Sequence, residues 1–347
     1  MKMKAILFYG PSDIQYRDVE VPELKPGEVL VKVDTALTCG TDVKTFRRGH
    51  PLLIKNIPSG FGHEFSGTIE AIGAGVVNFK PAQRVIAANS APCNNCYYCR
   101  ISKQNLCENL EFLNGAYAEY IVIPKKIVEQ NMIILSDDTT FEQAAFTEPL
   151  AVVLHAVEMS DIDVGKTVGI VGLGAVGLLF VKLAKLKGAR VIAVGRNPIK
   201  LKLAEEFGGA DEIIDLTKYS QPDKVIKDLT PKKRGLDVAI EAVGLPQIWE
   251  RAIALTRKGG TVNLFGGCEK GTKIHIDTGR LHYEELRIIS TFHHTPHHVS
   301  LAFRYIANNM FDLNKLITER MPLKQLQSAL VKQEMGTVIK VAIKPNS

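Results

Sequence analysis

The stretch Val168–Gly177 reads VGIVGLGAVG, and it limits what the rest of the chain can be. An apolar run with the character of a buried strand meets Gly172, Gly174 and Gly177 in G-x-G-x-x-G spacing, and residues 178–188 follow with helical character. In that strand–turn–helix setting each glycine has a task. Gly172 permits the tight turn, Gly174 lets a pyrophosphate approach the backbone, and Gly177 lets the helix pack on the strand. The phosphates would rest on the helix N-terminus, where free N–H groups and the helix dipole favour an anion. The motif predicts a dinucleotide site.

The surroundings agree. From Val168 onward, apolar strands alternate with helical stretches, the pattern of a parallel α/β sheet. The expected strands are Val168–Val171, Arg190–Val194, Glu212–Asp215, Val238–Glu241, Val262–Phe265 and Arg287–Thr291, six in all, as in the doubly wound dinucleotide fold. Asn197-Pro198 reads as a helix start and Gly208-Gly209 as its end. The tail should add one helix near 298–308 and a last strand near Val338–Ile343, and could return to the first domain. Residues 1 to about 150 follow another pattern, in which short alternating segments such as Val29–Val33 and Gly67–Ile72 lie between Pro and Gly turns. At 347 residues, two domains are the natural division. The expected fold class is α/β with a β-rich second domain.

Bulk properties exclude several alternatives. A net charge of +6, with 43 basic against 37 acidic residues and no basic block, does not suit a nucleic-acid-binding surface. The N-terminal MKMKAILFYG lacks an apolar signal core and reads as a first strand. The most apolar stretch, Val168–Val181, ends at Lys182 and is too short to span a membrane. No membrane partner is expected, and the cytoplasm is the expected location.

Four of the six cysteines, Cys93, Cys96, Cys99 and Cys107, lie on one short segment. Without an export signal, such a cluster argues for metal over disulfides. Four thiolates at this spacing suit a closed tetrahedral zinc site that contributes folding energy, although spacing alone also admits an iron–sulfur cluster. Three further segments carry chemistry-bearing residues: Cys39-Gly40-Thr41-Asp42, Gly62-His63-Glu64, and Glu148-Pro149-Leu150. Each taken singly has an ordinary structural explanation.

Together, in this order and over essentially the whole chain, these segments resemble the zinc-dependent medium-chain dehydrogenases, in particular their polyol (sorbitol) and threonine dehydrogenase branch. The resemblance implies a GroES-like catalytic domain over residues 1–150 and 293–347 and a Rossmann domain over 151–292. It implies Cys39, His63 and Glu64 as ligands of a catalytic zinc, with Glu148 binding it directly or through water. It also implies Thr41 as the hydroxyl that relays the substrate proton, Asp42 as the carboxylate orienting His63, and the cysteine quartet as a structural zinc lobe. Leu173, Ala175, Val176 and Val243 would join the glycines in lining the cofactor. The chemistry is coherent, since a zinc with an open position stabilises an alkoxide and so eases hydride loss to a nicotinamide. The resemblance further implies an alcohol or ketone substrate and a homotetramer or homodimer.

Two places depart from the family pattern. NAD-specific sites carry an acid roughly 20 residues past the glycines. Here Gly195 stands in its place, followed by Arg196, with Lys200 one helical turn on. Loss of a carboxylate and gain of a guanidinium favour a 2′-phosphate, so NADP(H) is expected over NAD(H). Thr45 and the pair His293-His294 occupy positions where the sorbitol pattern has aromatic and Arg-Tyr residues; they are expected to line the substrate pocket. His297 and His298 read as surface residues at a helix start, His155 as a packed helix residue, and Cys268 as a core or loop thiol. The leading function is reversible oxidation of a secondary alcohol, polyol or sugar, with L-threonine 3-dehydrogenase chemistry as the alternative. A non-catalytic nucleotide binder is disfavoured because it needs no open metal site.

Overall fold

The computed structural model describes residues 1–347. The chain forms two compact units: Val152–His293, and Met1–Ala151 together with His294–Ser347. The helix Thr147–Met159 carries the chain from one into the other.

The Val152–His293 unit holds a six-stranded parallel sheet. In spatial order its strands are Glu212–Asp215, Arg190–Gly195, Thr167–Val171, Leu236–Glu241, Thr256–Leu264 and Arg287–Ile289. The order reverses beside Thr167–Val171, the topological switch point at which open α/β sheets bind ligands. Thr167–Val171 is buried along its whole length, as a central parallel strand must be. The helix Ala175–Leu186 buries Leu178, Leu179, Phe180, Val181, Leu183 and Ala184, so it is apolar nearly all round. The expected strands are all present, but only Glu212–Asp215 keeps its expected bounds. Thr256–Leu264 begins earlier because Thr256 pairs with Leu236 ahead of a register shift, and the last strand ends at Ile289. Asn197 caps its helix by accepting the N–H groups of Ile199 and Lys200, and Gly209 closes the stretch in the left-handed conformation, φ 76°.

The other unit is β-rich. Its larger sheet runs Met132–Ile134, Arg84–Ala87, Phe65–Ile72, Val29–Leu37, Lys340–Lys344 and Ile317–Pro322, with Tyr120–Ile123 also pairing Val29–Leu37. A three-stranded sheet combines Asp13–Glu20, Lys2–Gly10 and Ser59–Gly60. The C-terminal strand lies inside the larger sheet, between Val29–Leu37 and the edge strand Ile317–Pro322, with Ala342 opposite Leu37 and Ile343 opposite Ala36. The tail holds more than expected. Besides the helix Pro296–Ala307 it has the strand Ile317–Pro322 and the helix Leu326–Met335. The strand reads ITERMP, in which charged and apolar residues mix, and the helix buries only Leu326, Ala329 and Leu330, so neither carries a strong apolar period. No helix is long and apolar enough to cross a membrane.

Candidate metal centre and cofactor site

The candidate metal centre is built where the strand Val29–Leu37 gives way to the helix Gly40–Arg48. Cys39 is the N-cap of that helix, and Asp42 completes a capping box by accepting the Cys39 N–H at 3.1 Å. The box aims the Cys39 sulfur back over the first turn, where it accepts the Thr41 N–H at 3.4 Å. Asp42 is 1% exposed and does more than cap. Its Oδ1 lies 3.1 Å from Nδ1 of His63, and its Oδ2 accepts the Tyr117 hydroxyl at 2.6 Å. With Nδ1 facing the Asp42 carboxylate at ion-pair distance, out of line for a hydrogen bond, His63 has Nε2 left to present, close to the arrangement in which a carboxylate orients a ligating imidazole.

The ligand atoms of Cys39, His63 and Glu64 lie within 4.8 Å of one another. Glu64 Oε1 is buried with no hydrogen-bond partner, while Oε2 accepts from the ammonium of Lys340, which also donates to the Thr38 carbonyl at 3.0 Å. An orphaned carboxylate oxygen beside a thiol and an imidazole is a set that a divalent cation such as zinc would complete, so the residues fit the metal. Burial raises Glu64, opposed by the Lys340 charge. It raises the Cys39 thiol too, with the Glu64 charge adding and His63 opposing. Burial works against charge on His63, but Asp42 and then Cys39 outweigh it and hold its pKa well above the usual imidazole value. Tyr117 is held well above its usual range by burial and then by Asp42, so it stays a donor.

Glu148 falls outside that trio. It is 8% exposed, and burial pushes it to about 7, with the His63 charge opposing and that of Glu64 adding. Its carboxylate lies within 4.8 Å of a ring nitrogen of His294. The His294 Nε2 lies 3.0 Å from the side-chain oxygen of Asn89. Thr45 is buried on the helix Gly40–Arg48 with its hydroxyl unpartnered. His293 stands at φ 61° with its carbonyl 2.8 Å from His155 Nδ1, so His155 packs as expected. His298 requires a correction: it is 6% exposed, not a surface residue. The helix Pro296–Ala307 turns it inward with Val299 and Ala302, and its Nδ1 lies 2.7 Å from the Thr295 hydroxyl. His297 is exposed, and Cys268 is half-buried in no disulfide.

The structure also brings together Cys93, Cys96, Cys99 and Cys107, with ligand atoms within 4.8 Å of one another and no disulfide. Backbone N–H groups of Cys93 and Asn109 point at the Cys107 sulfur, at 3.2 and 3.3 Å. The Asn95 N–H, with that of Cys96, draws Cys93 down to about 6, whereas burial pushes Cys99 up to about 12. Amide donors aimed at sulfur favour the thiolate, the form a metal takes.

In the other unit, the turn after Thr167–Val171 has the geometry the glycine motif requires. Gly172 adopts φ 100°, and a Cβ on Gly177 would lie 1.9 Å from the Gly172 carbonyl oxygen. A Cβ on Gly174 would meet nothing within 4 Å, and Gly174 caps the helix Ala175–Leu186 with no side-chain bond. The first-turn N–H groups are therefore open to an anion. Val243 packs against the turn, held by its N–H to Glu241 Oε1 at 2.7 Å. Gly195 ends its strand, and neither Arg196, which is exposed, nor the half-buried Lys200 pairs with a carboxylate. Burial alone lowers Lys200.

Lys340, Tyr117 and Glu241 escape sequence reasoning. Only Lys340 left a signal there, as the single charge within Val338–Ile343. A lysine in an apolar strand needs a partner, but nothing local says that it is Glu64.

A switch-point cofactor turn in one unit, with a thiol, imidazole and carboxylate set in the other, defines a nicotinamide-linked metal oxidoreductase. Comparison with known proteins narrows the class. Residues 25–131 match the alcohol dehydrogenase GroES-like domain, and residues 175–308 match the zinc-binding dehydrogenase family. The sorbitol dehydrogenase of Bacillus subtilis is 30% identical, covering 99% of this chain and 98% of its own. The L-threonine 3-dehydrogenase of the same organism is 30% identical, covering 99% of each. Among solved structures, a protein of Sinorhizobium meliloti 1021 described as a zinc-binding dehydrogenase bound to NADP superposes with a TM-score of 0.90 at 30% identity, covering 99% of this chain and 100% of that one. The chain belongs to the zinc-dependent medium-chain dehydrogenases, in their polyol branch. It is an NAD(P)-dependent alcohol or polyol dehydrogenase.

Proposed function

We propose that the chain catalyses reversible, zinc-dependent hydride transfer between NADP(H) and a secondary alcohol or polyol, with catalysis centred on Cys39, His63 and Glu64. The observation that carries the metal role is the buried, unpartnered Oε1 of Glu64 beside Cys39 and His63. Bound zinc supplies a Lewis acid for the substrate oxygen, and the nicotinamide accepts or gives the hydride. The remaining work falls to side chains. Asp42 holds the His63 ring, and Tyr117 and the Cys39 N–H hold Asp42. The Thr41 hydroxyl, able to accept and donate, would accept the proton of the substrate hydroxyl while passing its own on to water. Glu148, poised near 7, holds or releases a proton at neutral pH or binds the metal through water. Thr45, His293 and His294 line the substrate pocket, and the cysteine quartet holds a structural zinc.

The cofactor preference rests on Arg196 and Lys200, cationic side chains with no carboxylate partner beside a strand that ends in Gly195 where an acid would bind a ribose diol. The protein of S. meliloti is described as bound to NADP. Cysteines grouped at metal-ligand spacing suit the cytoplasm, and a homodimer or homotetramer completes the reading. The test is a panel of sorbitol, butanediol, arabinitol and L-threonine run with both cofactors and read by nicotinamide absorbance. Turnover that prefers NADP, and loses that preference in Arg196→Ala, supports the proposal; clear NAD preference unaffected by Arg196→Ala overturns it.

A further inference from the structure

Glu241 ends the strand Leu236–Glu241 as a carboxylate that is 0% exposed and makes no ion pair. Its Oε1 accepts the N–H groups of Val243 and Gly244, at 2.7 and 2.8 Å, and its Oε2 is buried with no hydrogen-bond partner. Burial raises its pKa, opposed by the Gly244 and then the Val243 N–H. A carboxylate buried without a countercharge is unfavourable, and an apolar side chain of the same size would pack there better. What the carboxylate supplies instead is a fixed turn, around which three chain segments meet backbone to backbone. A Cβ on Gly244, which adopts φ 83°, would lie 2.5 Å from the Gly267 carbonyl oxygen, and one on Gly266 would lie 2.3 Å from the Gly244 nitrogen. A Cβ on Gly172 would meet Val243 Cγ2 at 2.5 Å and the Ala242 carbonyl carbon at 3.1 Å. The Glu241 carbonyl accepts from Phe265 and Gly266, at 3.1 and 3.0 Å, and the Trp249 indole donates to the Gly266 carbonyl at 2.9 Å.

We propose that Glu241 is a positioning residue for the nicotinamide half of the cofactor: by accepting the N–H groups of Val243 and Gly244 it fixes the turn that borders the far side of the switch point. A doubly wound sheet divides a dinucleotide at that point. The adenosine half belongs over Thr167–Val171, Arg190–Gly195 and Glu212–Asp215, and the other half over Leu236–Glu241 and Thr256–Leu264. The turns Ala242–Gly244 and Gly266–Gly267 follow those last two strands. A shift of either therefore moves the floor beneath the nicotinamide, while the adenosine side is held by other strands. This role rests on the dehydrogenase class and is the same for NADP(H) and NAD(H).

The test compares whole cofactors with their adenosine fragments by calorimetric titration. Glu241→Met keeps the length of the side chain and removes both acceptors. It should weaken NADPH and NADH about tenfold in Kd, while adenosine 2′,5′-bisphosphate and AMP bind within about twofold of wild type. Glu241→Gln keeps one acceptor oxygen for the Val243 and Gly244 N–H groups and should recover most of that loss. Packing alone gives no such rescue, because Gln and Met are similar in size. Thermal unfolding checks that each variant folds; if Glu241→Met does not, Glu241→Asp, one methylene short of the two N–H groups, should show the same selective loss. Wild-type cofactor affinity in Glu241→Met, equal losses of whole cofactor and fragment, or a Glu241→Gln variant as impaired as Glu241→Met would overturn the proposal. A wild type that prefers NADH defeats the NADP(H) reading and leaves this comparison intact, read then with NADH and AMP.

Discussion

Lys340 donates from its ammonium to Oε2 of Glu64, and the two side chains are 2% and 0% exposed. The pair ties the C-terminal strand to the candidate metal centre and leaves Oε1 for a cation. Removing one partner of a buried pair strands the other charge, at about 3–5 kcal/mol. Lys340→Met should therefore lower the stability of the metal-free protein by that order. Zinc should then raise the melting temperature more in the variant than in the wild type, because the metal replaces the countercharge that Glu64 has lost with Lys340. Calorimetry with and without zinc checks this; equal zinc-induced shifts would contradict it.

The glycines of the cofactor turn should separate by phenotype. Gly177→Ala drives a methyl against the Gly172 carbonyl, at 1.9 Å, and should unfold the turn and lower thermal stability. Gly174→Ala meets only open space. It should melt like the wild type yet bind NADPH about tenfold more weakly, a loss of about 1.4 kcal/mol, because the methyl occupies the approach of the pyrophosphate. Circular dichroism and cofactor titration read the two effects apart.

These features were legible in the sequence for a physical reason. The glycine motif, the cysteine quartet and the Asn197-Pro198 helix start act over a few residues, so their spacing is their geometry. The pairing of Glu64 with Lys340 spans 276 residues and that of Asp42 with Tyr117 spans 75, and no local pattern chooses such partners. His298 shows the same limit. Its place at a helix start suggested exposure, but the buried side of the helix depends on what packs there. The strand Ile317–Pro322 is stabilised by its neighbour Lys340–Lys344, not by its own composition.

The cysteine quartet should be a folding element distinct from catalysis. Cys107→Ser should remove one of the zinc sites, as measured by metal analysis, and speed amide exchange across residues 93–107. Full zinc content with unchanged exchange would count against a metal in this lobe.

One pH effect follows from Glu142, which Arg320 grips at 2.9 and 2.6 Å, with Lys344 at 3.1 Å. Arg320 and then, against a burial penalty, Lys344 hold its carboxyl below the usual range. A depressed carboxylate stabilises the fold above its unfolded pKa of about 4.3, and the contribution disappears as pH falls through the lower folded value. Arg320 is half-exposed, so Glu142→Gln should cost only about 1 kcal/mol at pH 7. The difference from wild type should shrink below about pH 4, as read by urea midpoints across pH.

The central claim is that Cys39, His63 and Glu64 hold the metal that makes this chain a dehydrogenase. The most direct measurement compares wild type with Cys39→Ser for zinc content, NADPH binding and alcohol-dependent reduction of NADP. The account predicts that Cys39→Ser loses one zinc site and at least about a thousandfold in kcat/KM, roughly 4 kcal/mol of transition-state stabilisation. The Cys93–Cys107 metal and cofactor affinity should be retained. Turnover in Cys39→Ser at the wild-type rate would contradict it.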